Sequence, residues 1–161
     1  MSYARFAAMI AASTVIMYGL MYLNTYQLDH VQFSQTRVWM AVYMGAMMTV
    51  VMLAFMLKMY EKTKVNVAIF AGAAIIFAGS LYLLRSQDTV GDVAYMKAMI
   101  PHHSIAILTS ERANIRDPRV RELADAIIET QREEIGEMKM LIADLEAQGA
   151  DPSRQNREAA Q

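Results

Sequence analysis

The sequence contains no cysteine, and this absence excludes disulfides, thiolate metal sites and cysteine nucleophiles. Charged residues are also scarce, since they make up 19% of the 161 residues whereas hydrophobic residues make up 55%. This composition argues against intrinsic disorder and against an ordinary, highly charged soluble domain. Methionine, by contrast, is abundant, with fifteen residues in the chain.

The net charge of −1 conceals an uneven distribution of charged residues. Residues 1–85 contain six Lys or Arg and two Asp or Glu, a net charge of +4. Residues 86–161 contain nine and fourteen, a net charge of −5. A basic, apolar first part and an acidic second part predict a membrane domain over residues 1–85 followed by a water-facing domain. Because the basic residues of the second part are interleaved with carboxylates, no nucleic-acid partner is predicted.

Three uncharged apolar runs predict helices that cross a lipid bilayer. They are Phe6–Leu23, Val38–Leu57 and Val67–Leu84, with 18, 20 and 18 residues. A helix needs about 20 residues to cross the hydrocarbon core, so all three are long enough. The first run is too long for a secretory signal and lacks a small-residue cleavage site after it, which predicts a retained span.

The basic residues of the short loops predict the orientation of the spans. A cytoplasmic N-terminus places four of them inside and two outside, as the positive-inside rule favours. The inside set is Arg5, Lys58, Lys62 and Lys64, and the outside set is Arg37 and Arg85. With three spans, the chain after Arg85 then lies outside. In a bacterium, this arrangement predicts an inner-membrane protein whose C-terminal part is periplasmic.

The water-facing part predicts an antiparallel helical hairpin. Apolar residues at spacings of three and four predict a first helix, capped by Asp88 or Thr89 and running to about Asn114. A compact turn follows, with Asp117 as the N-cap and Pro118 at the first position of a second helix. The predicted fold class is therefore all-α, with three transmembrane helices followed by an extramembrane hairpin.

The second helix is predicted to end near Ala147, because Gly149 and Pro152 follow it. The predicted hairpin domain is therefore 86–148, and the polar tail 149–161 is predicted to be disordered. Two helices alone do not enclose a core. Each apolar stripe needs a further partner, either the membrane bundle or a second copy, and a homo-oligomer is the prediction.

Thioether and imidazole side chains share one face of the first hairpin helix, and the return helix brings further donors to a similar height. The predicted metal-ligand set is Met96, Met99, His102, His103, Glu134 and Met138, with Gln131 nearby.

Soft thioether donors select Cu(I), whereas zinc sites built on methionine are not expected. A non-metal interpretation stays open, because a methionine on an amphipathic helix is often core and an adjacent histidine pair can be a hydrogen-bonding feature. A di-iron carboxylate site requires Glu three residues before His. Met99 and Ile100 occupy those positions, which argues against di-iron chemistry.

Two segments carry a resemblance to a known family, namely YMKAMIPHHSIAI and, after it, DPRVRELADAIIETQREEIGEM. Together they strongly resemble the domain-of-unknown-function family numbered 305, over about residues 90–145. The resemblance implies a ferritin-like helical architecture, here half a bundle, in bacterial periplasmic and membrane proteins of which some handle copper. The family pattern falls on Met99, His102 and His103, and on Gln131, Glu134 and Met138. Many members carry two such hairpins, whereas this chain carries one.

Seven methionines lie on or beside the second span, five of them at steps of four residues. They are Met40, Met44, Met47, Met48, Met52, Met56 and Met59. These methionines are either a line of thioethers that conducts Cu(I) or flexible apolar side chains that fill space. Transport pathways usually contain an ionisable residue, and the three apolar runs contain none, which argues against conduction.

The sequence thus predicts a membrane-anchored periplasmic protein that binds copper, as Cu(I), for storage, delivery or resistance. It is not predicted to be an enzyme, because no nucleophile–base pair is present. A copper-accepting protein or a larger membrane complex are candidate partners. The main alternative is a non-catalytic accessory or scaffold subunit of such a complex, with a purely structural His-Met cluster.

Overall fold

The computed structural model describes residues 2–150, and over that part of the chain it contains five α-helices and no β-strand. The helices are α1 (Tyr3–Leu20), α2 (Gln35–Phe55), α3 (Thr63–Ser86), α4 (Asp92–Arg112) and α5 (Pro118–Ala150). The predicted all-helical class is confirmed.

The first three helices are each long and apolar enough to cross a membrane. Helices α1 and α2 begin three residues before their predicted apolar runs, and α3 begins four residues before its run. At the start of α1, the Ala4 N–H donates a hydrogen bond of 3.2 Å to Ser2 Oγ. At their other ends, α1 stops at Leu20 and α2 at Phe55, three and two residues before their predicted runs end. An apolar run therefore marks the part of the chain that suits hydrocarbon, whereas capping of the backbone sets the ends of the helix.

These three helices form one compact unit, made of the residues up to Leu23 together with Gln35–Val90. Within it, α2 packs against both α1 and α3. A Cβ atom at Gly45 of α2 would collide with the side-chain hydroxyl of Thr14 on α1. The missing side chain therefore permits the close approach of these two helices, as small residues do between membrane helices.

The second unit contains α4 and α5, which pack against each other in antiparallel orientation. Ion pairs near both ends, Lys97–Glu146 and Glu111–Arg132, show this direction. The predicted N-cap of the second helix is confirmed, because Oδ1 of Asp117 accepts the N–H of Arg119 at 2.9 Å.

The start of α4 differs from the prediction, which placed a cap at Asp88 or Thr89. Helix α3 continues to Ser86, and Gln87 caps its C-terminus in the left-handed conformation, with a φ of 58°. The Val90 N–H then donates to the Gln87 carbonyl at 2.9 Å. Residues 87–90 thus terminate α3 as a turn, and α4 begins only at Asp92, after Gly91.

The end of α5 also differs, because Gly149 lies inside the helix rather than ending it near Ala147. One glycine costs a helix only about 1 kcal/mol relative to alanine, which is too little to stop a 33-residue helix. The predicted disordered tail of 149–161 is therefore wrong at its first two residues, and 151–161 lie outside the described residues.

The domain division also departs from a single cut after residue 85. The loop Asn24–Ser34, which joins α1 to α2, belongs to the same compact unit as the hairpin, whereas residues 86–90 belong to the first unit. This loop includes a short 3₁₀ turn, Leu28–His30. The loop belongs to the second unit because its polar and aromatic groups form hydrogen bonds with residues of α4 and α5.

Candidate metal centre

Packing between α4 and α5 decides which residues remain available for a site. The buried core of the hairpin consists of five residues: Met96, Ile100, Ile107, Ile135 and Ile142. The α4 members recur at spacings of four and seven, which places them on one helical face. Neighbouring positions on α4 are therefore turned towards the edges of the interface.

A cleft of about 240 Å³ opens along one such edge. Its lining residues are Tyr95, Met99, His103, Glu134, Glu137, Met138 and Leu141. Four of the six predicted ligands therefore meet around one space: Met99 and His103 from α4, and Glu134 and Met138 from α5. Both thioethers are partly buried.

The imidazole of His103 is the most enclosed polar group of the cleft, with 14% of its side chain exposed. Its Nδ1 atom is buried and has no hydrogen-bond partner among the residues that the structure describes. A carboxylate oxygen of Glu134 lies 2.9 Å from this nitrogen, a distance at which the two groups form an ion pair when the ring is protonated. The same oxygen accepts a hydrogen bond of 3.0 Å from Gln131 Nε2.

Burial lowers the pKa of His103, because desolvation disfavours the charged ring. The nearby Glu134 carboxylate opposes this shift, and His102 adds a smaller contribution that lowers the pKa further. The imidazole is therefore neutral at neutral pH and keeps a nitrogen lone pair. A neutral ring is the form that binds metals.

The donor set of the cleft is mixed rather than rich in carboxylates. Among residues 2–150, no three His, Asp or Glu side chains lie close enough together to hold a metal ion. The cleft instead combines one imidazole, two thioethers and the carboxylates of Glu134 and Glu137. Such a set fits a soft, monovalent ion better than a hard divalent cation.

Two of the predicted ligands lie elsewhere. Met96 is 7% exposed and belongs to the hydrophobic core, one turn before Ile100. His102 is exposed and does not line the cleft, and its ring centroid lies 6.1 Å from that of His103. Successive residues on an α-helix are turned by about 100°, so two adjacent histidines point in different directions.

Three residues that line the cleft were not among the predicted ligands, namely Tyr95, Glu137 and Leu141. Helical spacing could have found all three, because each stands three or four residues from a predicted ligand: Tyr95 before Met99, Glu137 after Glu134 and Leu141 after Met138. The docking of the loop Asn24–Ser34 on the hairpin has no comparable signal, because that segment carries no apolar periodicity.

Comparisons with known proteins found a family and a relative that this chain resembles over part of its length. A protein of Acanthamoeba polyphaga mimivirus, "Uncharacterized protein L153", is 39% identical over 70 residues, which are 42% of this chain and 46% of that protein. The chain thus matches about half the length of this relative. No solved structure matches the chain. Residues 92–161 match the family described as "Domain of unknown function (DUF305)", which confirms the resemblance carried by the two hairpin segments.

Proposed function

We propose that this protein is a membrane-anchored copper-binding protein that holds Cu(I) in the cleft between α4 and α5. The observation that carries the proposal is the largely buried imidazole of His103 beside the thioethers of Met99 and Met138, in a chain without cysteine. Thioether and imidazole donors together suit Cu(I). Glu134, which Gln131 holds in place, serves as a further ligand or orients the ring of His103.

The proposed role is to hold copper for storage, delivery or resistance rather than to catalyse a reaction. Thioether ligands carry no proton, so they bring no acid–base group to the metal. A copper-accepting protein or a larger membrane complex is the natural partner of such a role. As a second candidate function, the chain is a scaffold subunit of such a complex, which the exposed apolar side chains of α5 favour.

Metal titration of the purified full chain separates these two functions. Under anaerobic, reducing conditions, and with a chromophoric chelator as competitor, we expect the chain to take up Cu(I) in preference to Zn(II). A chain that takes up neither ion, or Zn(II) more tightly than Cu(I), would contradict the copper proposal and leave the scaffold function.

The pH dependence of binding follows from the lowered pKa of His103. Protons compete with the metal for the imidazole, so we expect Cu(I) affinity to fall as the pH drops below the lowered pKa of His103, by about tenfold per pH unit for one competing proton. A His103→Met variant is the matched control, because it replaces the imidazole with a donor that does not titrate. An identical pH profile for both proteins would rule out His103 as the titrating ligand.

We propose a bacterial inner-membrane location, with the N-terminus in the cytoplasm and the hairpin in the periplasm. The basis is the excess of basic residues at one end of the spans, where Arg5 lies in the first turn of α1, Lys64 lies in that of α3, and Lys58 and Lys62 lie between α2 and α3. A reporter that is active only in the periplasm, fused after Gln161, is expected to be active. Activity of a cytoplasm-only reporter at the same position would reverse the orientation.

We also propose that two hairpins pair outside the membrane to form a ferritin-like four-helix bundle. Four apolar side chains on α5 are each between 37% and 61% exposed: Val120, Leu123 and Ile127 near the start of the helix, and Leu141, which lines the cleft. Burying each such side chain contributes up to about 1.5–3 kcal/mol. The detergent-solubilised protein is therefore expected to have at least twice the chain mass of 18.1 kDa. A monomer with a folded hairpin would contradict this pairing.

A further inference from the structure

Ser104 anchors the loop Asn24–Ser34, here called the strap, to helix α4. The serine is fully buried, and its Oγ accepts a hydrogen bond of 2.7 Å from the Tyr26 N–H. Nδ1 of His30, itself only 6% exposed, lies 2.9 Å from the same oxygen. Because Oγ already accepts from Tyr26, its own proton is available for donation to His30. One buried hydroxyl thus holds two residues of the strap.

A second set of contacts ties the strap to both helices of the hairpin. Asp29 forms an ion pair of 2.5 Å with Lys139 on α5. The ring of Tyr26 packs against the hairpin core, and its hydroxyl donates a hydrogen bond of 3.1 Å to Glu111 at the end of α4. The strap therefore bridges α4 and α5, as the cleft residues do.

The two anchor points of the strap are the immediate neighbours of two cleft residues. Ser104 follows His103 on α4, and Lys139 follows Met138 on α5. Consecutive residues of a helix are turned by about 100°, so the anchors and the cleft residues lie on different faces of the same helical turns. A shift of either turn would move an anchor and a cleft residue together.

We propose that the strap is a positioning element for the metal cleft, so that docking of the strap and binding of Cu(I) stabilise each other. This coupling rests on the proposed copper function. Ser104 supplies the physical basis of this coupling. Undocking of the strap would remove Tyr26 and His30 as hydrogen-bond partners of the Ser104 hydroxyl, and the loss of hydrogen bonds to a buried group raises the free energy. Coupling between two sites is reciprocal, so the factor by which docking raises Cu(I) affinity is also the factor by which Cu(I) favours docking.

The test compares the full chain in detergent with two variants at His30. The His30→Leu variant removes the partner of Ser104, whereas His30→Asn keeps a polar atom near the position of Nδ1. We expect about a tenfold loss of Cu(I) affinity for His30→Leu, as for residues that orient metal ligands, and a smaller loss for His30→Asn. We also expect Cu(I) to slow the amide hydrogen exchange of Asn24–Ser34 in the unchanged protein. The same comparison in His30→Leu should show a smaller slowing.

Ser110→Ala, a serine substitution elsewhere on α4, is the control and should change neither quantity. If His30→Leu does not fold, Asp29→Asn loosens the exposed tie to Lys139 and should give the same direction of change. Failure of the unchanged protein to bind Cu(I) would overturn the proposed function and, with it, the coupling. Equal Cu(I) affinity in all variants would overturn the coupling but not the proposed copper function. Amide exchange of the strap that does not change when Cu(I) binds would do the same.

Discussion

Replacing His103 with alanine is expected to weaken Cu(I) binding by at least about 100-fold, whereas His102→Ala should change it by less than about threefold. The two histidines are adjacent, yet only His103 lines the cleft with the thioethers, and His102 is exposed outside it. Removal of a direct ligand should cost no less than the 10-fold to 100-fold loss seen when supporting residues are removed. The measurement is competition for Cu(I) against a chromophoric chelator, with the purified full-length variants.

The methionines provide a second matched pair for the same experiment. Met99 lines the cleft and Met96 lies in the core, so Met99→Leu should weaken Cu(I) binding whereas Met96→Leu should leave it unchanged. Leucine has a similar volume, so both substitutions preserve packing and remove only sulfur. Equal losses for both members of either pair would contradict the cleft as the copper site.

The second large effect concerns stability, since Ile100→Ala is expected to destabilise the hairpin by about 2–5 kcal/mol. Ile100 is completely buried in the core that joins α4 to α5. Its truncation removes apolar burial and leaves a cavity between the two helices. Amide hydrogen exchange along α4 and α5 measures this loss as faster exchange of the slowest amides, separately from helices α1–α3.

Met140→Ala is the control for this substitution, because it shortens a large apolar side chain on the same hairpin that is 69% exposed. Its effect on the free energy of unfolding should stay within about 0.5 kcal/mol. Equal amide hydrogen exchange rates in the Ile100→Ala and Met140→Ala variants would contradict the packing of Ile100 between α4 and α5.

Local features of the sequence predicted all five helices and, to within about four residues, where each begins and ends. The three apolar runs, the helical spacing of the hairpin and the Asp117 cap each depend on residues within a few positions of one another. Hydropathy over a span and capping of a first turn act through the backbone nearby, so no tertiary contact is needed to read them. The start of α4 was predicted too early in the chain, because residues 87–90 form the turn that ends α3 instead of the cap that begins α4.

The sequence by itself also determined which chemical groups are available, namely thioethers and imidazoles without any thiol. Only the tertiary structure decided which of them face one another. The rotation of α4 about its axis is set by the packing of Ile100 and Ile107 against α5, and this rotation places Met99 and His103 at the cleft while Met96 is buried. The strap adds contacts between residues 74 and 110 positions apart, such as His30–Ser104 and Asp29–Lys139. Pairings of that range depend on how the folded helices present their faces, which no local pattern encodes.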